Sequence, residues 1–200
     1  MNALLKILFT LTAITFVWSA INPHDYFTWF LEIFPVIIGS YFIYKTYNRF
    51  RLTDLTYSLL FIHAIILMMG GHYTYALVPA GNWAKDMLDL ARNNYDRLGH
   101  LAQGFVPAML LREIFIRNNI IANRRWMFIL IVSTCLAFSA YYEIFEAAIA
   151  MFIGTASDSF LGTQGDVWDT QWDMFCALIG AVSALLLLNK AQDKQIKKIN

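Results

Sequence analysis

The sequence predicts an all-α membrane protein: one polytopic helical bundle over residues 1–200, with about six transmembrane helices and both ends in the cytoplasm. Three observations predict it. Hydrophobic residues make up 58% of the chain and charged residues only 14%, at a mean hydropathy of +0.51, whereas soluble domains carry about 25% charged residues. A chain this short cannot hide so much apolar surface, and lipid removes the need to. Six segments approach the roughly 20 apolar residues that a span requires. Finally, Lys and Arg gather in alternate loops, the pattern that orients a membrane protein.

The spans fall at about 3–21, 27–44, 53–70, 98–116, 126–153 and 170–189. The first is a retained helix rather than a cleaved signal, because Trp18 fits poorly at a small-residue cleavage site. Asn22-Pro23 ends it, and Gly70-Gly71 ends the third. Pro35 and Pro107 lie inside spans, where neighbouring helices satisfy the freed carbonyls. The fourth span is the least apolar and the fifth the longest. Between the third and fourth, alternating charges and leucines suggest a short amphipathic segment at about 82–97 lying on the membrane surface. Cys135 and Cys176 sit in apolar runs and read as small core residues.

Lys45, Arg49 and Arg51 mark the second loop, Arg112, Arg117, Arg124 and Arg125 the fourth, and Lys190, Lys194, Lys197 and Lys198 the tail. With six spans these regions share the cytoplasmic side. The fifth loop holds Asp158, Asp166 and Asp169 and no basic residue. A net charge of +1 gives no reason to expect a nucleic-acid partner, and membrane lipids are the expected surroundings.

On this topology, ionisable residues distant in sequence converge at the outer face. His72 follows the third span. Asp96, His100 and Gln103 share one helix face at i, i+4 and i+7. Glu143 lies roughly 17 residues, or about 25 Å of helix rise, beyond Trp126, which places it and Glu146 near the outer end of the fifth span. Asp166, Asp169 and Asp173 lead into the sixth, and Glu32 lies in the outer half of the second. Charged groups at membrane depth cost a few kcal/mol each and persist where they pair, bind an ion or do chemistry. His72, His100, Glu143, Asp166, Asp169 and Asp173 are the candidate ligands of a divalent metal ion. Glu146 and Asp96 are the candidate catalytic acid or base. The bland alternatives are solvated loop carboxylates and surface pairs of Asp96 with Arg92 or Arg97. His63, in mid-span, reads as a neutral histidine bonded to a neighbouring helix. Glu113 and Arg117 read as a structural i, i+4 pair.

The strings Gly70-Gly71-His72-Tyr73-Thr74-Tyr75, Tyr95-Asp96-Arg97-Leu98-Gly99-His100 and Gly162-Thr163-Gln164-Gly165-Asp166-Val167-Trp168-Asp169-Thr170-Gln171-Trp172-Asp173-Met174 resemble the YjdF-like bacterial inner-membrane proteins, as do Glu143 and Glu146. The resemblance spans most of residues 30–190. It implies a multi-pass protein of the bacterial inner membrane and implies no substrate. A weaker likeness runs to VanZ-like membrane proteins, through Glu143, Asp169 and Gly180, but Phe175 and Cys176 stand where that family usually carries Asn.

Three functions stay open at this point. The first is a metal-assisted hydrolase or transferase acting on a lipid-linked or envelope substrate, with Asp169, Asp173, His100 and Glu143 as ligands and Glu146 or Asp96 as base. The second is an ion-coupled transporter using Glu32, His63 and Glu143. The third is a non-catalytic membrane protein whose cluster ties helices together. There is no Walker-type loop, His-Glu-x-x-His or Gly-x-Ser-x-Gly motif.

Overall fold

The computed structural model describes residues 3–153 and 162–199; Asp158 lies outside them. Seven α-helices are present among the described residues, and no strand. They are α1 (Ala3–Ser19), α2 (Tyr26–Thr46), α3 (Asp54–Tyr73), α4 (Pro79–Met87), α5 (Tyr95–Arg117), α6 (Arg124–Ile153) and α7 (Asp169–Ile199), with a single 3-10 turn at Tyr75–Leu77. Four of them, α2, α3, α6 and α7, are long and apolar enough to cross a membrane, and α1 is a shorter apolar helix.

Caps set several of the starts. The Asp25 carboxylate accepts from the Thr28 N–H at 2.7 Å, and this bond holds its pKa below the ordinary value. Thr53 caps α3 through Thr56 N. Asn93 Oδ1 accepts from Tyr95 N, which starts α5 earlier than residue 98.

Three bounds differ from the sequence expectation for physical reasons. Helix α3 runs through Gly70-Gly71, because those glycines serve close packing: a Cβ on Gly70 would strike the Tyr75 ring, and one on Gly71 would press on Glu32. The short helix starts at Pro79, whose fixed φ suits a first helical turn, and has ended by the positive φ of Asp89, so it lies ahead of 82–97. Helix α7 continues past 189, because Arg112 holds Gln192 and Asp193 at 2.8 and 2.7 Å.

Helix α5 is the centre of the bundle, packed along α7. Gly104 and Ala108 meet Ala177, Ala181 and Ala184, small residues that let two backbones approach. A Cβ on Gly104 would lie 1.8 Å from the Ala177 carbonyl oxygen, and one on Gly180 2.1 Å from that of Leu101. Cys135 is fully buried against this core, and neither cysteine is in a disulfide.

The low apolarity of α5 has a matching cause, since its charges face protein partners. Glu113 is completely buried and accepts from Thr53 N (2.8 Å), Thr53 Oγ1 (2.7 Å), Thr56 Oγ1 (2.6 Å) and Arg117 (3.0 Å). Gln192 Nε2 joins by donating to Thr56 Oγ1 and the Met109 carbonyl. The expected Glu113–Arg117 pair is therefore one edge of a network joining α3, α5 and α7.

Candidate metal centre

The start of α2, the end of α3, the start of α5, the later part of α6 and the start of α7 meet at one end of the bundle. One donor atom each from Asp96, His100 and Asp173 lies within 4.8 Å of the others. Asp96 and His100 sit one turn apart on α5, and Asp173 one turn into α7, where the α5–α7 approach brings the three together.

His100 is 4% exposed. Its Nδ1 shares a 3.4 Å hydrogen bond with Ser139 Oγ. Its Nε2 faces Glu143 Oε1 at 3.4 Å and Asp96 Oδ1 at 3.7 Å. Fixing one ring nitrogen while aiming the other at carboxylates is how proteins orient a histidine ligand. Glu143 Oε1 is close to the ring but is not aligned for a hydrogen bond, so it is a buried oxygen without a donor. Asp173 Oδ1 is likewise buried and unpartnered, on a residue 2% exposed. Buried polar atoms are nearly always satisfied, and two orphaned carboxylate oxygens beside a histidine nitrogen are the donor set that a hard or borderline divalent cation takes. The residues therefore fit a metal ion.

Of the remaining predicted ligands, Asp166 and Asp169 are taken up by arginines at the edge of the cluster. Asp169 is held by Arg92 in a buried pair, and Asp166 by Arg97 at 2.6 Å with Arg92 at 3.6 Å. Asp166 lies ahead of α7, so the expected helical stripe begins only at Asp169. Among the described residues Asp96 pairs with neither Arg92 nor Arg97; its nearest charge-capable partner is His100. His72 is not brought into the cluster. Its ring stacks 4.4 Å from that of Trp18, and its Nδ1 bonds the Ser19 carbonyl at 3.1 Å, fastening α3 to the end of α1.

Adjoining the cluster is a cavity of about 80 Å³ lined by Glu32, His63, Tyr75, Gln103, Tyr142 and Glu146 together with Asp96 and His100. Tyr142 donates to Glu32 Oε2 at 3.0 Å. His63, expected to bond a neighbouring helix, lines this cavity with its Nε2 unpartnered. Tyr75 and Tyr142 escape sequence reasoning because aromatic residues in apolar runs look like core. Only Gly70, placed to admit the Tyr75 ring, hints otherwise.

The family described as Predicted membrane protein (DUF2238) matches residues 4–194. The Inner membrane protein YjdF of Escherichia coli (strain K12) is 47% identical over 189 residues, 94% of this chain and 90% of that protein. No solved structure matches the chain.

Proposed function

The chain belongs to the DUF2238 family of predicted membrane proteins, and we propose that it is a metal-assisted hydrolase or transferase acting on a lipid-linked substrate at the outer face of the bacterial inner membrane. The inner-membrane setting comes from the name of the E. coli relative. The observation that carries the chemistry is the convergence of Asp96, His100 and Asp173 with orphaned oxygens on Asp173 and Glu143. Asp96, His100 and Asp173 would hold the cation, with Glu143 beside them. A bound divalent ion supplies Lewis-acid polarisation and an acidified water. Glu146 lines the cavity next to the cluster and takes the role of base. Arg92 and Arg97 occupy Asp169 and Asp166, which act as positioning residues.

The accompanying topology has six spans with both ends inside. Twelve of the 15 Lys and Arg residues lie at the end opposite the cluster; only Lys85, Arg92 and Arg97 lie at the cluster end. That asymmetry supports an outward-facing site.

Metal analysis by mass spectrometry on detergent-purified protein tests the reading. Near-stoichiometric metal is expected in the wild type and its loss in a folded Asp96→Asn/Asp173→Asn variant. A metal-free wild type, after reconstitution with Zn²⁺ and Mn²⁺, would sink it. One observation favours ion-coupled transport instead: Glu32 and His63 share the cavity with His100 and Glu146. Cation flux in proteoliposomes that stops in His63→Ala while metal content is unchanged would move the conclusion there.

A further inference from the structure

The cavity beside the cluster is rich in carboxylates, and no Lys or Arg lines it. Glu32, Asp96 and Glu146 face it, with the rings of Tyr75 and Tyr142 and the imidazoles of His63 and His100. These residues come from α2, α3, the 3-10 turn, α5 and α6. The arginines of this end are committed elsewhere, Arg92 to Asp169 and Arg97 to Asp166. A divalent ion held by Asp96, His100 and Asp173 therefore leaves Glu32 and Glu146 without a counter-charge.

Their bonding is as incomplete as their charge. Glu32 is 2% exposed and accepts from Tyr142 through Oε2. Glu146 is 9% exposed and has no hydrogen-bond donor among the described residues. On the same cavity His63 keeps a buried Nε2 without a partner. Carboxylates so placed call for a cation, and three kinds compete. A proton on Glu146 removes the charge but creates a buried O–H that needs an acceptor in turn. A second metal ion needs close donors. Among the described residues the set that converges within 4.8 Å is Asp96, His100 and Asp173, and Glu32, His63 and Glu146 form no such set. An ammonium group meets both needs. It carries the charge and three N–H donors, bonds oxygen at about 2.8 Å rather than the roughly 2.0–2.6 Å of a metal, and so suits a wider ring of acceptors. Aromatic faces such as those of Tyr75 and Tyr142 also attract it.

We infer that this cavity takes the ammonium group of an amine-bearing substrate, lodged between Glu32 and Glu146. That the amine belongs to the substrate rests on the metal-site reading; the ammonium site itself stands on the cavity. Asp96 and His100 border both spaces, so a headgroup that meets the metal ion with one end reaches the cavity with the other. A phosphoethanolamine-type headgroup, with a short link between phosphate and amine, is the class that fits.

Isothermal titration calorimetry on the purified full-length protein in detergent tests this with ethanolamine as the probe. Saturable binding is expected, about tenfold or more tighter than that of ethylene glycol, which lacks the charge, and of choline, whose nitrogen has no N–H to donate. Glu32→Gln and Glu146→Gln should each weaken it by a similar factor. Absence of ethanolamine binding, equal binding of ethylene glycol or choline, or unchanged affinity in both folded variants overturns the inference. The three wild-type titrations decide it even where a variant fails to fold. Metal content on the same samples separates the two readings. Ethanolamine bound by protein that takes up no metal upholds the ammonium site and removes the metal centre; metal uptake without ethanolamine binding removes the ammonium site alone. On metal-loaded protein O-phosphoethanolamine should bind more tightly than ethanolamine, and no such gain would detach the amine from the substrate.

Discussion

Asp173 carries a buried carboxylate oxygen with no hydrogen-bond donor, beside three further carboxyl-bearing or imidazole side chains. Such a group is stable when a cation replaces the missing donor. A ligand present at a hundred times its Kd stabilises the folded state by about 2.7 kcal/mol, so a chelator should lower the melting temperature of the wild type and leave that of Asp173→Asn unmoved; differential scanning fluorimetry in detergent reads both, and equal responses would remove the cation from the account. Glu113 is the opposite case, a buried carboxylate with four donors. Removing one partner of a buried pair costs about 3–5 kcal/mol, because the other charge is left stranded. Glu113→Ala should therefore unfold at far lower temperature, and Glu113→Gln, which keeps acceptor capacity, should fall between; a Glu113→Ala protein as stable as the wild type would show that the network contributes little. These two sites also mark what was legible at this scale. Asp96, His100, Glu143, Glu146 and Asp173 stood out as ionisable groups near the same ends of apolar helices, and the structure gathers them at one end of the bundle. Asp166 and Asp169 looked the same, since only the folded chain reveals that Arg92 and Arg97 reach across from 69 to 77 residues away to claim them.

Among the elements, the contact of α5 with α7 decides whether the site exists, because Asp96 and His100 ride on one helix and Asp173 on the other. The two backbones touch at Gly104 and Gly180, and the atoms in the way of a side chain are the carbonyl oxygens of Ala177 and Leu101. Overpacking in a core usually costs about 1–3 kcal/mol through shifted side chains, but a carbonyl cannot rotate aside. Gly104→Val should therefore separate the helices, lowering thermal stability beyond that range and abolishing metal binding together with it. Ala177→Gly should fail to rescue, since it leaves the carbonyl in place; restored melting in the double variant would mean that the obstacle was a side chain after all. The helices themselves were readable from long apolar runs, yet this pairing was not. Gly104, Ala108, Gly180 and Ala181 carry a small-residue signal on each helix, but nothing in one sequence says which stripe meets which. The same blindness misplaced the end of α3, where Gly70 and Gly71 resemble a stop and instead make room for Tyr75 and Glu32.

For the whole molecule, the arrangement of charge is the argument for the proposed outward-facing site. The loop that carries Lys45, Arg49 and Arg51, the loop beside Arg124 and Arg125, and the tail all lie at the end away from Asp96, His100 and Asp173. Of the three basic residues at the cluster end, Arg92 and Arg97 are tied to aspartates, so their charge is largely balanced there. Lys and Arg near span ends resist translocation, and a failure of α3, α5, α6 or α7 to cross would put the Lys-rich tail opposite the loop that carries Lys45, Arg49 and Arg51. The central question is whether α5, whose apolarity falls short of a span, crosses at all; its partners in α3 and α7 satisfy Arg112, Glu113 and Arg117, which is what a crossing helix with those residues needs. Green fluorescent protein fused after Asn200 should therefore fluoresce, and alkaline phosphatase fused after Leu88 should be active while the same fusion after Asn119 is silent. Phosphatase activity after Asn200 would mean that one of α3, α5, α6 and α7 does not cross, and the site's face would no longer be fixed by the tail. Activity after both Leu88 and Asn119 would mean that α5 stays on one side, and Asp96 and His100 could then not descend from the outer surface beside Asp173 within the bilayer.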